Sequence, residues 1–492
     1  MDLRSLAAFR AGVALLLLLN LLLRARDLSD FYTDAGVIPR ESLAAFRQSG
    51  ITPWSLYSLS GDMPWVAFLF LVSAATAIVL GLGWRTQAST ALSWILLISL
   101  EHRNPLVLTG GDLLLQLLLF WSIFLPLGEV WSIDARRLRP STAGSIPRSV
   151  FSVASAALLV QVAIIYPVAA LFKWREPIWR SLEAFGAAMQ VDGVATAFGE
   201  ALAAVPDLAP VISGATLVFE AFAWGIAFCP WQTARFRIAA VAIFSLFHLL
   251  GPGATMRLGY FPLVMVVAWV PFLPALFWER CLGFAAGRSA SAALEDSDLL
   301  EAGSIRAPAS VNAVVAALLL IVGIHLGHYL GWVDRSGVFA SQIVRPVVAL
   351  LGLEQRWSLW SLPPTNRYFL ITAQTEAGLD LDVRQGGAEV DWNAPPRRSR
   401  NSIWWKLELG LSSPSKARLR GIYGCYWLRV WRREHPGEPP PVHVQGWILE
   451  GDWEEVISGR GQRNLLWTAE AEADWRRLGV TRDRVYPCQG ER

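Results

Sequence analysis

Lys173 stands out among the residues that could do acid–base chemistry, because it is the only lysine in the first 405 residues. The chain has 43 lysines and arginines, of which only Lys173, Lys406 and Lys416 are lysines. Arginine stays protonated in proteins, whereas a lysine partly removed from water can lose its proton and act as a base. Lys173 lies where an apolar run meets a loop, so it is either such a base or a membrane-edge anchor whose ammonium reaches the headgroups.

Three further groups of ionisable residues lie in apolar runs, where charge is costly and therefore marks functional candidates. Glu220 is a candidate catalytic residue, or else a structural partner of an arginine such as Arg10. His248 is a second catalytic candidate, or else a neutral, hydrogen-bonded histidine inside a helical bundle. His325 and His328 share a helix face, but two ligands do not complete a metal site, so no metal is predicted.

A polar stretch precedes the apolar run that begins near Asp112. We predict that Asn104 and Asp112 bind substrate at the mouth of a cavity, together with Arg257 from a later loop. For Asp112 the alternative is a plain helix N-cap, a position that aspartate favours.

Membrane-spanning helices must position these residues. The 492-residue chain is 54% hydrophobic and 17% charged, with a mean hydropathy of +0.39, whereas soluble proteins have about 25% charged residues. Hydropathy predicts a polytopic α-helical membrane protein of about nine spans, in which the third and seventh are short and polar at their ends. The predicted span centres are Ala14, Leu71, Leu92, Leu119, Val160, Phe219, Ala242, Val267 and Leu319.

The distribution of arginines predicts the orientation. Arg136, Arg137, Arg139 and Arg148 crowd the loop after the fourth predicted span, which the positive-inside rule places in the cytoplasm. Nine spans then give a cytoplasmic N-terminus and a periplasmic or extracellular C-terminus. The net charge of +3, without a basic stripe, does not indicate nucleic-acid binding.

The composition changes after Trp332, so we predict a transmembrane bundle over residues 1–335 and a small C-terminal α+β soluble domain over 340–492, rich in Trp and Arg. The predicted strands are Tyr368–Thr372, Leu379–Val383 and Val442–Leu449, and the predicted helices are Asn401–Leu411 and Ala417–Arg433. Cys425 and Cys488 lie in this domain. They could form a disulfide outside the cell and would be free thiols inside it.

Several segments together resemble the horizontally transferred transmembrane (HTTM) family. The resemblance covers about residues 3–280 well and the tail loosely. The segments that carry it are Arg103–Pro105 leading to Thr109–Asp112, Trp131–Asp134, the frame Tyr166…Lys173…Trp179, Phe247–His248, Leu258–Pro262 and Gln355–Ser358.

The best understood members of that family are the vitamin K-dependent γ-glutamyl carboxylases. The resemblance therefore implies a bacterial membrane enzyme that oxidises a reduced, menaquinol-like quinone with O₂ and uses the base so generated to add CO₂ to glutamate. Lys173 matches the lysine that is taken to start this cycle by deprotonating the quinol. Glu220 and His248 would line the same pocket.

Two departures from the carboxylases bear on the predicted activity. Phe172 stands where a paired lysine is usual, and Gly111 or Asp112 stands where the carboxylases carry a histidine. Since that histidine is thought to help stabilise carbanion chemistry, glutamate carboxylation is the less expected part of the cycle, and oxidation of a quinol is the more expected part.

A second hypothesis is not catalytic. The Trp- and Arg-rich helix near Tyr423–Arg433 could bind a secreted peptide or protein, which would make the chain a membrane scaffold or maturation factor. A transporter with Glu220 and His248 as a proton relay is disfavoured, because no inverted repeat is visible.

Overall fold

The protein is described by a computed structural model. The described residues are 1–41, 54–138, 148–191, 193–285, 303–334, 340–361, 367–376, 378–392, 401–412, 417–437, 441–450, 462–470 and 485–487. Helices make up most of the described chain, and a sheet lies near the C-terminus.

The helices contribute candidate membrane spans in both the earlier and the later part of the described chain. The earlier helices are α1 Leu3–Ala25, α2 Leu28–Tyr32, α3 Met63–Leu82, α4 Thr86–Arg103, α5 Gly110–Ser122, α6 Ile133–Leu138, α7 Val153–Ala163, α8 Ile165–Arg175, α9 Pro177–Arg180 and α10 Ala184–Met189. The later helices are α11 Ala197–Ala203, α12 Leu208–Phe222, α13 Thr233–Leu250, α14 Pro252–Thr255, α15 Phe261–Trp269, α16 Ala275–Ala285, α17 Ala309–Leu330, α18 Arg345–Leu351, α19 Ser402–Ser412 and α20 Ala417–Glu434.

By length and composition, six helical stretches of the described chain could cross a membrane. They are Leu3–Ala25, Met63–Leu82, Val153–Arg175, Leu208–Phe228, Thr233–Thr255 and Ala309–Leu330. A seventh results if Phe261–Phe272 and Ala275–Cys281, which are bent by 100°, count as one broken span. The membrane class is confirmed, but the predicted count of nine spans is not.

The two predicted centres that lack a qualifying span, Leu92 and Leu119, lie in α4 and α5. Helix α5 has 13 residues, or about 20 Å at 1.5 Å per residue, too short for a hydrocarbon core of about 30 Å. Helix α4 is polar at both ends, where Gln87 and Glu101 lie. Both helices instead serve packing: every residue of α5 from Gly111 to Ser122 except Leu113 is buried.

The two ends of α1 contact different parts of the chain. At the first end, the terminal ammonium of Met1 donates to the Val150 carbonyl at 3.0 Å, close to β1, Ser149–Phe151, which pairs in parallel with β2, Ser304–Arg306. At the other end, Asp27 accepts hydrogen bonds from Asn401 at 2.9 Å and from the indole of Trp404 at 3.0 Å. The C-terminal elements therefore pack at the end of α1 opposite to the N-terminus.

The C-terminal sheet contains six strands in the order β5-β4-β3-β6-β7-β8 among the described residues. They are β3 Arg367–Gln374, β4 Asp380–Asp382, β5 Ala388–Glu389, β6 His443–Glu450, β7 Gln462–Glu470 and β8 Val485–Pro487. Neighbours are antiparallel except β7 and β8. The three predicted strands and the two predicted helices of this region are confirmed as β3, β4, β6, α19 and α20, whereas β5, β7 and β8 were not predicted.

One apolar cluster joins α19, α20 and the sheet to the segment before α3. It contains Phe31 and Tyr57 from the N-terminal half, and Trp404, Trp427 and Val444 from the C-terminal part. Phe31 and Trp404 are in ring contact, with centroids 4.8 Å apart. The aromatic side chains of α20 are thus buried in packing.

The described cysteines of the C-terminal part and of the helical bundle differ in oxidation state. Cys425 is disulfide-bonded, and Cys488, the partner considered from the sequence, lies outside the described residues. Cys229 and Cys281 are free thiols.

Candidate functional site

Lys173 is carried by the second half of a broken helix. Helix α7 ends at Ala163 and α8 begins at Ile165, because Pro167 has no N–H to donate to the Ala163 carbonyl. Helix α8 ends at Arg175, where the following Pro177 forces the residue before it into an extended conformation. Lys173 consequently lies in the last turn of α8, and only 3% of it is exposed.

Glu220, near the end of α12, is the partner of Lys173. The Lys173 Nζ donates to Glu220 Oε2 at 2.7 Å, and both side chains are buried. The Lys173 Nζ also lies 5.2 Å from the centre of the Trp179 ring. The alternative pairing of Glu220 with Arg10 is wrong, because Arg10 donates to backbone carbonyls, including that of Leu127 at 2.7 Å.

His248, on α13, belongs to a chain of hydrogen bonds beside this pair. The Trp269 indole donates to the Tyr166 hydroxyl at 2.7 Å, and that hydroxyl lies 2.9 Å from His248 Nε2. We assign the Tyr166 proton to Nε2, because the described structure gives that hydroxyl no other acceptor, and the imidazole proton is then assigned to Nδ1. His248 Nδ1 is buried and has no hydrogen-bond partner within the described structure.

These side chains line a cavity of about 430 Å³, called the base cavity below. Lys173, Glu220, His248 and Tyr166 are its principal polar groups, and most of the remaining lining is apolar. The walls come from α8, α10, α12, α13 and the start of α15. The three residues predicted to be catalytic therefore line one cavity.

A second cavity of about 420 Å³ lies beside the first, between the bundle and α19. Asp112 forms part of its wall, and one oxygen of Asp112 accepts from Asn20 at 2.8 Å, Arg24 at 2.6 Å and the Tyr260 hydroxyl at 2.5 Å. The other oxygen accepts from the backbone and hydroxyl of Thr109. Asp112 is the third residue of a capping box whose N-cap is Thr109, so it is a partner in the cap and also the hub of a buried network.

The two other predicted substrate-binding residues are placed differently. Arg257 is exposed and lines the second cavity. Asn104 is fully buried, donates to the Phe31 carbonyl at 3.1 Å and accepts from the Leu106 amide at 3.2 Å. It is not among the residues that line either cavity.

Four residues line both cavities and form a common wall, called the shared wall below. Leu258 and Phe261 come from the start of α15 and the loop before it, and Leu359 and Trp360 come from the segment after α18. Trp179 donates from its indole to the carbonyls of Trp360 and Ser361, at 3.0 Å each. The two cavities are thus separated by a thin layer of apolar side chains.

Several residues of the site were not named as candidates from the sequence. Asn20 and Arg24 are four residues apart in an apolar helix, a spacing that places both on one face and could have indicated the network. Tyr166 and Trp179 belong to the frame Tyr166…Lys173…Trp179 of the sequence. No sequence pattern indicated Trp360, because its contact with Trp179 joins two segments distant in sequence. Within the described chain, no group of three His, Cys, Asp or Glu side chains could hold a metal ion.

The bundle and its enclosed acid–base pair define an integral α-helical membrane protein with a buried polar site. The HTTM domain model matches residues 1–278, more than half of the chain, and the protein belongs to the HTTM domain family. This family of membrane domains is associated with carboxylase-like proteins. No curated protein and no solved structure matches the sequence significantly.

Proposed function

We propose that this protein is a vitamin K-dependent carboxylase-like membrane enzyme that oxidises a membrane quinol, with Lys173 as the base. The observation that carries the proposal is the buried Lys173–Glu220 pair, 2.7 Å apart, inside a mostly apolar cavity. A purely structural ion pair needs no cavity beside it. A base needs room for its substrate.

The base cavity suits a reduced quinone in size and lining. Its volume of about 430 Å³ falls within the range of about 300–1,000 Å³ found for small-molecule sites. Apolar walls fit a ring and an isoprenoid chain, and the few polar groups fit the two hydroxyls. A bound quinol supplies the reducing electrons for O₂, and the protein side chains supply the proton chemistry.

Lys173 can serve as a base because Glu220 can take its proton. Transfer from Nζ to Oε2 along the hydrogen bond converts an ion pair into a neutral amine and a neutral acid, which an apolar cavity accommodates at less cost than separated charges. The neutral amine then accepts a hydroxyl proton from the quinol. Arginine at position 173 could not do this, since it stays protonated.

His248 is proposed to bind a quinol oxygen. Its Nε2 faces the Tyr166 hydroxyl, and its Nδ1 has no hydrogen-bond partner in the described structure. A donor directed at an oxygen that gains negative charge stabilises the deprotonated form. The second cavity would take the other substrate, with Arg257 facing an anionic group and the Asp112 network holding the wall. Addition of CO₂ to a glutamate remains the less expected outcome.

The orientation is proposed on the contacts of α1. The N-terminus and the segment that bears Arg136 and Arg137 belong to one end of the bundle, and the C-terminal elements pack at the other. A disulfide at Cys425 suits an oxidising compartment. We therefore propose a cytoplasmic N-terminus and a C-terminal domain outside a bacterial inner membrane, with the chain divided into residues 1–335 and 340–492.

The test is a turnover assay with purified protein, menaquinol and O₂, in which quinone epoxide is measured. Lys173→Arg is expected to lower the rate by roughly 10²- to 10⁴-fold, the usual contribution of a general base. Lys416→Arg is the matched control, because it makes the same replacement elsewhere in the chain. Equal rates for the wild type and Lys173→Arg would exclude Lys173 as the base. Labelled CO₂ and a glutamate peptide in the same assay test carboxylation.

The alternative role, a scaffold or maturation factor for a secreted partner, has less support. It was suggested by the aromatic residues of α20, but Tyr423, Tyr426, Trp427 and Trp431 are buried in the apolar cluster. These side chains are engaged in packing, so they do not offer a surface to a partner.

A further inference from the structure

Residues 353–361, called the strap below, run from α18 along the bundle toward the C-terminal sheet. The first half of the strap is firmly anchored. The amides of Gln355 and Gln161 exchange two hydrogen bonds, at 2.9 and 3.1 Å, and both residues are buried. Trp357 is fully buried and donates to Gln355 at 2.7 Å. The strap therefore enters the bundle at a fixed position.

The second half of the strap forms part of the shared wall. Leu359 and Trp360 line both cavities. Trp360 has a φ of +56°, a left-handed conformation that residues other than glycine rarely adopt and that the surroundings must hold. The indole of Trp179 donates to the carbonyls of Trp360 and Ser361, so Trp179 is part of what holds this turn.

Trp179 also contacts the base. Its ring centre is 5.2 Å from Lys173 Nζ, within the distance at which an ammonium is attracted to the face of an indole. The hydrogen-bond acceptor of Nζ is Glu220. A continuous series of contacts thus joins the wall of the second cavity to the strap, the strap to Trp179, and Trp179 to Lys173.

We propose that Trp179 is a positioning residue that holds the Lys173 amine against Glu220, and that the strap in turn positions Trp179. The wall of the second cavity and the base of the first then move as one unit. A ligand that displaces Leu359 or Trp360 from the second cavity changes the placement of Lys173 without touching it. The catalytic part of this proposal depends on the proposed function, whereas the placement of Lys173 does not.

The test uses full-length protein labelled with ¹⁵N-lysine. The chain has only three lysines, so the Lys173 Nζ signal is assigned as the one that Lys173→Arg removes. Trp179→Phe keeps an aromatic ring and loses the indole N–H, and Trp179→Leu loses both. The control is Trp174→Phe, at a tryptophan next to Lys173 in sequence that is 58% exposed.

Both Trp179 variants are expected to change the Lys173 Nζ chemical shift, with the larger change in Trp179→Leu, and Trp174→Phe is expected to leave it in place. The kcat for quinol oxidation should fall roughly tenfold or more in both Trp179 variants, because small displacements of reacting groups are costly. The KM for the quinol should stay within about twofold of wild type, the behaviour of a residue that acts in the transition state.

An unchanged Lys173 signal in Trp179→Phe would overturn the proposal, whatever the kcat of that variant. A rise of KM alone would also overturn it, since Trp179 would then only shape the base cavity. If the wild type does not oxidise quinol at all, the proposed function fails, and the Lys173 signal still decides whether Trp179 and the strap position the amine.

Discussion

Arg24 of α1 and Asp112 of α5 form an ion pair with a 2.6 Å contact, and both side chains are almost completely buried. The pair joins the first helix of the bundle to its most enclosed helix. Asn20 and Tyr260 add hydrogen bonds to the same carboxylate oxygen. This network forms one side of the second cavity, so the stability of the bundle and the shape of that cavity depend on the same residues.

Asp112→Asn should therefore lower the stability of the protein substantially. Removing one partner leaves the Arg24 charge buried without compensation, at a cost of about 3–5 kcal/mol. The measurement is thermal or denaturant unfolding in detergent. Asp62→Asn is the control, because Asp62 is exposed and an exposed change usually costs within about 0.5 kcal/mol. Equal stability of the two variants would show that the network is not a structural element.

Glu220→Gln should lower quinol oxidation, and the rate is compared at matched amounts of folded protein because the change also removes one partner of a buried ion pair. The amide can still accept a hydrogen bond from Lys173, but it cannot take a proton, so the proposed transfer from Nζ to residue 220 is lost. The expected loss is about 10²-fold or more. Glu200→Gln, at an exposed glutamate of α11, is the matched control. A Glu220→Gln variant with full turnover would mean that Lys173 loses its proton by another route.

The orientation predicts the activity of reporter fusions. Alkaline phosphatase fused after Glu434, at the end of α20, should be active because the enzyme needs an oxidising compartment for its disulfides. The same reporter fused after Arg137 should be inactive, and a cytoplasmic reporter at the two positions should give the reverse pattern. An inactive fusion after Glu434 would place the C-terminal elements in the cytoplasm.

The C-terminal sheet should lose stability in mild acid because of His443. Burial lowers the pKa of His443 below its ordinary value of 6.5, although nearby Asp380 opposes the shift. Both ring nitrogens are buried without a hydrogen-bond partner in the described chain. The unfolded state therefore binds a proton below about pH 6.5 that the folded state does not, and stability falls as the pH drops through that value. Melting curves between pH 7.5 and 5.5 measure this loss.

His443→Phe should reduce the pH dependence, because it removes the titrating group and keeps a ring of similar shape. His435→Phe, at a histidine outside the sheet whose ring stacks on Trp431, serves as the comparison. If the His443→Phe variant retains the full pH dependence, another group is responsible for it.

Much of the fold could be predicted from local sequence. A long hydrophobic run predicts a membrane-spanning helix, because the free energy of transferring the run into lipid depends on its composition and length. The strands β3, β4 and β6 and the helices α19 and α20 were predicted from short-range patterns in the same way. The number of spans was not predicted correctly. Helices α4 and α5 are apolar because they pack against neighbouring helices, and a hydropathy profile cannot distinguish such packing from contact with lipid.

For the candidate site, too, local sequence indicated some features and the tertiary structure decided the others. The sequence by itself determined that Lys173, Glu220 and His248 are unusual, since an ionisable residue in an apolar run is costly wherever it lies. Only the tertiary structure decided that Glu220 pairs with Lys173 and not with Arg10, that Tyr166 holds His248, and that Trp360 reaches Lys173 through Trp179. These relationships join residues from 47 to 181 positions apart, and no local pattern encodes which distant side chains meet when helices pack.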